Sequence, residues 1–147
     1  MTSQLLLAYF EKDISRFIEE ISLFKNESDL WRCAPGIPNA PGTLALHITG
    51  NLKHFIGAQL GKTGYVRNRD KEFSDRNTSK EDLVKGLTEA REIVIASLSK
   101  LSDEDLQKDF PIPFMDKNRQ TIEMLFFLYG HMDYHLGQVN YYRRMSM

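Results

Sequence analysis

Gly130-His131-Met132-Asp133-Tyr134-His135-Leu136-Gly137-Gln138 lies inside a longer run, from Thr121 to about Arg144, that decides the fold. Across that run Ile122, Leu125, Phe126, Tyr129, Met132, Leu136 and Val139 recur every three to four residues, with Thr121 as the expected cap. This is the period of a helix that buries one side. Two of the four histidines of the chain, His131 and His135, stand four residues apart in it. At 3.6 residues per turn they share a face, close enough to hold one divalent ion between them. Two ligands are too few for a stable site, so a third must come from another segment.

Working outward, the same period appears three more times. From Ser3 to Lys25 it is carried by Leu7, Phe10, Ile14, Phe17, Ile18, Ile21 and Phe24, with Glu11, Lys12, Glu19 and Glu20 left for solvent. From Leu44 to about Leu60, after Thr43 as cap, it is carried by Leu44, Ile48, Leu52, Phe55 and Ile56. Gly50, Gly57 and Ala58 in that segment would admit a neighbouring helix. Thr78-Ser79-Lys80-Glu81 reads as a capping box that opens a helix to about Leu101, with a seam of Leu83, Leu87, Ala90, Val94 and Leu98.

Between helices the chain is punctuated. Pro35, Pro38 and Pro41 break the stretch from Asn26 to Gly42, where Trp31 reads as a packing residue. Gly61 to Thr78 is a long polar connection, with Phe73 as its expected anchor and Arg67, Arg69 and Lys71 as a solvated face. Phe110-Pro111-Ile112-Pro113-Phe114 excludes helix and allows a short hairpin before the last one. The expectation is an all-α four-helix bundle with long connections, formed as a single domain over residues 1–147. An up-down-down-up order would need a long crossover, which Gly61 to Thr78 could supply.

A chain of 147 residues can bury a core without disulfides or structural metal. With 41% hydrophobic and 27% charged residues and a net charge of −1, it lacks the basic excess of a nucleic-acid binder. The start, Met1-Thr2-Ser3-Gln4, lacks the pattern of a secretory leader, and no apolar run nears the roughly 20 residues that span a bilayer. Cys33 is alone, which excludes a thiolate cluster and reads as a small, partly buried side chain. These features point to a cytoplasmic protein with no membrane and no nucleic-acid partner.

The third ligand is expected from the second helix, which carries His47 and His54. They lie seven residues apart, roughly 10 Å along the axis, so they cannot both join the pair on the last helix. His47 is nearer the loop mouth, and His54 follows Lys53, so His47 is the choice. Three neutral imidazoles suit zinc or nickel and leave a coordination position for water, substrate or an incoming thiol. Asn51 and Gln138, each about one turn beyond a ligand, would orient ligands or meet substrate. Asp133 points roughly 160° away from the His131–His135 face at about 100° per residue, so no general base is evident.

Three stretches together resemble the DinB superfamily: Leu44-Ala45-Leu46-His47-Ile48-Thr49-Gly50-Asn51-Leu52, Val66-Arg67-Asn68-Arg69-Asp70-Lys71-Glu72-Phe73, and the stretch from His131 to Gln138. The resemblance spans nearly the whole chain in the same motif order. It implies a four-helix bundle with a metal-binding histidine triad, carried here by His47, His131 and His135. It also implies a homodimer, and for the better understood branches a thiol-dependent S-transferase or isomerase. The function expected is that of a metal-dependent enzyme acting on a small-molecule substrate, as a thiol S-transferase or a small-substrate hydrolase. The alternative is a non-catalytic dimeric bundle in which any metal serves stability.

Overall fold

The computed structural model describes residues 1–146 and is helical along most of its length. Four long helices, α1 (Thr2–Ser22), α2 (Pro41–Leu52), α4 (Lys80–Leu98) and α5 (Thr121–Met145), surround one hydrophobic cluster, and a short helix α3 (Arg69–Ser74) sits in the crossover. Each long helix buries the side its periodicity marks out: Phe10, Ile14, Phe17 and Ile21 from α1, and Leu44, Ile48 and Leu52 from α2. From α4 and α5 come Leu83, Leu87, Val94, Leu128, Met132, Leu136 and Val139. Among the described residues no helix is long and apolar enough to cross a membrane.

Side-chain contacts give the helix directions. The first residues of α1 meet Asp103, just beyond the end of α4, and Ser15 accepts a hydrogen bond from Arg91, so α1 and α4 run antiparallel. On α2 and α4, Lys53 pairs with Glu89 and Gly57 lies against Ile93, so those two run parallel. A Cβ added at Gly57 would come within 2.8 Å of Ile93, which is how closely the parallel pair approaches. Tyr129 meets Asp13 and Arg143 meets Glu20, which sets α5 parallel to α1. The order is up-down-down-up, and the parallel α2–α4 step is what makes the long crossover necessary.

The helix ends depart from expectation. Helix α2 starts at Pro41 after Ala40, because a proline at the first helical position gives up an N–H that has no partner there anyway. Thr43, expected as the cap, is inside the helix and accepts from Arg76 Nη1 at 2.9 Å. Trp31 covers Gly42, where a Cβ would meet the indole at 2.8 Å, so its role is packing. Beyond Leu52 the helix widens into a π turn, Lys53–Ala58. Ser79 caps α4 by accepting from the Asp82 N–H at 3.1 Å. Helix α5 is preceded by Gln120, not capped by Thr121, whose hydroxyl donates to the Lys108 carbonyl instead.

The hairpin exists only as two isolated antiparallel bridges, Asp109 with Gln120 and Phe114 with Lys117. Pro111 and Pro113 cannot donate to a ladder, which keeps the pairing from growing into strands. Some sequence assignments of burial also change. Phe126 is 58% exposed, Cys33 is exposed, and Glu20 is half-buried against Arg143 and Asn140 rather than on the wet side of α1.

Candidate metal centre

The inward face of α2 and the matching face of α5 bring His47, His131 and His135 together. His131 Nε2 lies 3.2 Å from His47 Nε2 and 3.2 Å from His135 Nε2, and all three nitrogens fall within 4.8 Å of one another. An ion bound tetrahedrally at about 2.0–2.1 Å would hold its nitrogen ligands about 3.3 Å apart, close to the two separations that involve His131. Three rings from two helices thus converge through the same atom. His54, two turns further along in the π turn after α2, packs on Phe55 and takes no part.

The opposite nitrogens show which lone pairs are free. His135 Nδ1 is 2.7 Å from Gln138 Oε1, an acceptor, so that ring carries its proton on Nδ1 and presents a bare Nε2. His47 Nδ1 lies 3.2 Å from Glu72 Oε1. His131 Nδ1 is buried and has no hydrogen-bond partner among the described residues. The donor set here, three imidazole Nε2 atoms, fits a divalent borderline metal.

Electrostatics keep two of the rings, His131 and His135, in the form that ligates. Burial, and then the neighbouring His135, His47, Arg67 and Arg69, push His131 down to about 4. Burial also lowers His135, against the opposing hydrogen bond that it donates to Gln138 and with help from His47. Neutral imidazole at physiological pH is the metal-binding state. His47 is 7% exposed, whereas His131 and His135 are half-buried, so the cluster has one closed and one open side. Around the open side stand Phe127, parallel to His131 at 6.4 Å, Phe114 at 4.8 Å from Phe127, and Tyr134 at 5.4 Å from His135.

One residue of this centre, Arg67, was read as solvated surface in the sequence, and Glu72 was given no role there. Arg67, whose side chain is 11% exposed, donates through Nε to Glu72 Oε2 and through Nη2 to Glu72 Oε1, both at 2.8 Å. Glu72 is buried, and although burial raises its pKa, the hydrogen bonds from Arg67 and His47 outweigh that and hold it below the usual carboxylate range. Phe73, the expected anchor, is half-buried with its ring 5.0 Å from His47. The only hint in the sequence was a lone apolar residue beside an acid in a charged run. Asn51 is buried on α2, one turn beyond His47, and its Oδ1 has no hydrogen-bond partner among the described residues.

Comparison with known proteins places the chain. A family model described as "Protein of unknown function (DUF1572)" matches residues 7–146. The chain belongs to the DUF1572 family. DUF1572 itself lies within the DinB-like fold family, in agreement with the resemblance of the three motifs. Among solved structures, the chain is similar to a DinB-like protein from Bacillus cereus ATCC 10987, whose crystal structure was determined at 2.01 Å resolution. The similarity has a TM-score of 0.75 at 18% identity and covers 96% of this chain and 90% of that one, which establishes the shared helical bundle. No curated protein matches the sequence. DUF1572 thus supplies a fold and a family without an activity.

Proposed function

We propose that His47, His131 and His135 bind one divalent ion, zinc or nickel, and that this DUF1572 protein is a metal-dependent enzyme that transfers a low-molecular-weight thiol to a small electrophile. The observation that carries the reading is the convergence of three Nε2 atoms with two of their rings half open to solvent. When bound, the ion supplies Lewis acidity, which makes an incoming thiol or water a stronger nucleophile near neutral pH. The protein's own residues favour the thiol. Glu72, the carboxylate that touches the triad, spends both oxygens on Arg67 and His47 and is not free to take a proton from water. A thiol ionises several units more easily than water and needs no such base. Hydrolysis of a small substrate is therefore the lesser reading.

Other side chains have parts in this reading. Gln138 holds the His135 ring in orientation. The unpartnered Oδ1 of Asn51 accepts a hydrogen bond from substrate. Phe127, Phe114 and Tyr134 offer the substrate an apolar wall. The exposed Cys33 thiol, without a second cysteine, suits a reducing cytoplasm.

Thermal unfolding of metal-free protein with added zinc or nickel tests the metal. At an ion concentration 100 times Kd the gain is about 2.7 kcal/mol. For a chain of this size that is about 5–10 °C in Tm. Conjugation of glutathione, cysteine or coenzyme A to a fluorogenic electrophile, run beside ester hydrolysis, tests the reaction. No shift with either ion sinks the metal. A shift with ester turnover and no thiol transfer would favour the hydrolase.

A second reading, a non-catalytic homodimer, is favoured by one feature: Phe126, Phe127, Tyr134 and Tyr141 stand 45–66% exposed on the outer side of α5. On that reading metal raises Tm while every turnover assay stays blank, and sedimentation gives a dimer.

A further inference from the structure

The crossover reaches the histidines through Glu72, and the surroundings of that carboxylate are built at some cost. Two opposite charges are buried together, an arrangement that apolar side chains of the same volume often match in stability. Helix α2 also gives up a side chain for it. A Cβ on Gly50 would lie 1.9 Å from Glu72 Oε2 and 2.6 Å from Cδ, and Arg67 pins the carboxylate so that it cannot swing aside. Glycine inside a helix is otherwise unfavourable. Fastening the crossover to α2 would explain a buried ion pair, but not an oxygen directed at the Nδ1 of a triad histidine.

We propose that Glu72, clamped by Arg67 and admitted by Gly50, is a positioning residue. It holds His47 as the Nδ1–H tautomer and so presents a bare Nε2 to the cluster. The competing arrangement is also visible. Arg67 Nη2 lies 3.4 Å from His47 Nδ1, and a guanidinium can only donate, so that contact would demand a bare Nδ1 and put the proton on Nε2. The carboxylate is nearer, at 3.2 Å, and is an anionic acceptor, while Nη2 is already committed to Oε1 at 2.8 Å. The carboxylate prevails. The three rings are then held unequally: His47 by a carboxylate, His135 by an amide, and His131 by neither.

The purpose of this arrangement rests on the metal reading above, but its sign can be read without metal. In ring 15N NMR of metal-free protein at pH 8, His47 should show a protonated Nδ1 and a bare Nε2. In Glu72→Ala the signal should move toward the Nε2–H form, while His135 stays unchanged as an internal reference. A wild-type His47 protonated on Nε2, or a His47 signal indifferent to Glu72→Ala, overturns the proposal. In zinc titrations against a chelator, Glu72→Ala and Gly50→Ala should each weaken binding about 10- to 100-fold. Glu72→Gln, which keeps the volume and one acceptor oxygen, should recover part of the loss; if Glu72→Ala does not fold, Glu72→Met, of similar volume and without a strong acceptor, takes its place in both measurements. Wild-type zinc affinity in folded Gly50→Ala and Glu72 variants also overturns the proposal. If wild type binds neither zinc nor nickel, the metal reading falls and the tautomer alone decides the role of Glu72.

Discussion

Helix α5 has polar residues on two sides, and the two sides are finished differently. Toward α1 they are paired: Asp13, buried, accepts from the Tyr129 hydroxyl, and Glu20 accepts from Asn140 at 2.8 Å and from Arg143 at 2.6 Å. Toward α2 the pairing is incomplete: three Nε2 atoms crowd together, and His131 Nδ1 and Asn51 Oδ1 have no hydrogen-bond partner among the described residues. Buried polar atoms left in that condition cost stability, so a fold keeps them where something outside the chain will complete them. The α1 side binds the bundle together, and the α2 side carries the group that could hold an ion.

The largest expected break of this contrast is His131→Ala. Loss of a ligand should lower zinc affinity by more than about 100-fold, beyond what loss of an outer partner costs, and abolish the zinc-induced rise in Tm. Calorimetric titration measures it. Asp13→Ala should do the reverse. It strands the Tyr129 hydroxyl and should cost about 2 kcal/mol in urea unfolding, with zinc affinity unchanged. A variant that moved both quantities would erase the distinction between the two sides.

Acid separates them further. Burial and the neighbouring charges hold folded His131 down to about 4, below its value in the unfolded chain. As pH falls from 6.5 the unfolded state takes up the proton first, so the metal-free protein loses stability down to about pH 4. His131→Asn should flatten that slope in unfolding measured across the window. For Glu20, burial raises the pKa, but the hydrogen bonds from Arg143 and Asn140 overcome this and lower it. Its contribution is present above the ordinary carboxylate value and fades as pH drops through the folded one. Glu20→Gln should remove a smaller slope, displaced to more acid pH. Least affected is the outer side of α5, where Phe126→Ser should change stability by less than about 0.5 kcal/mol. If the chain pairs through this side, the same substitution shifts the sedimentation profile toward monomer.

Much of this was legible in the sequence because helical period fixes direction. His131 and His135 share a face by their spacing, and the apolar residues on either side turn that face toward a neighbour. The seven residues between His47 and His54 kept both from joining that pair, and His47 was preferred because it lies nearer the loop mouth while His54 follows Lys53. What could not be read depends on where non-helical chain comes to rest. Arg67 and Glu72 sit in a run of alternating charges that looks wet, and only the path of the crossover buries them. Asp13 and Glu20 were hidden for a related reason: a helical wheel gives an angle but not the partner that waits there. Phe126 failed in the other direction, since α5 is apolar over more of its circumference than the bundle covers.

The parallel run of α2 and α4 obliges residues 61–79 to travel back along the bundle, and the same strap delivers the carboxylate that touches His47. Topology and chemistry therefore share one fastening. A newly made chain whose four long rods have gathered, but whose strap still hangs loose, would own every imidazole and yet not have the first of them locked in position. On that reading, full affinity for an ion would require the strap to be seated as well as the rods to be packed.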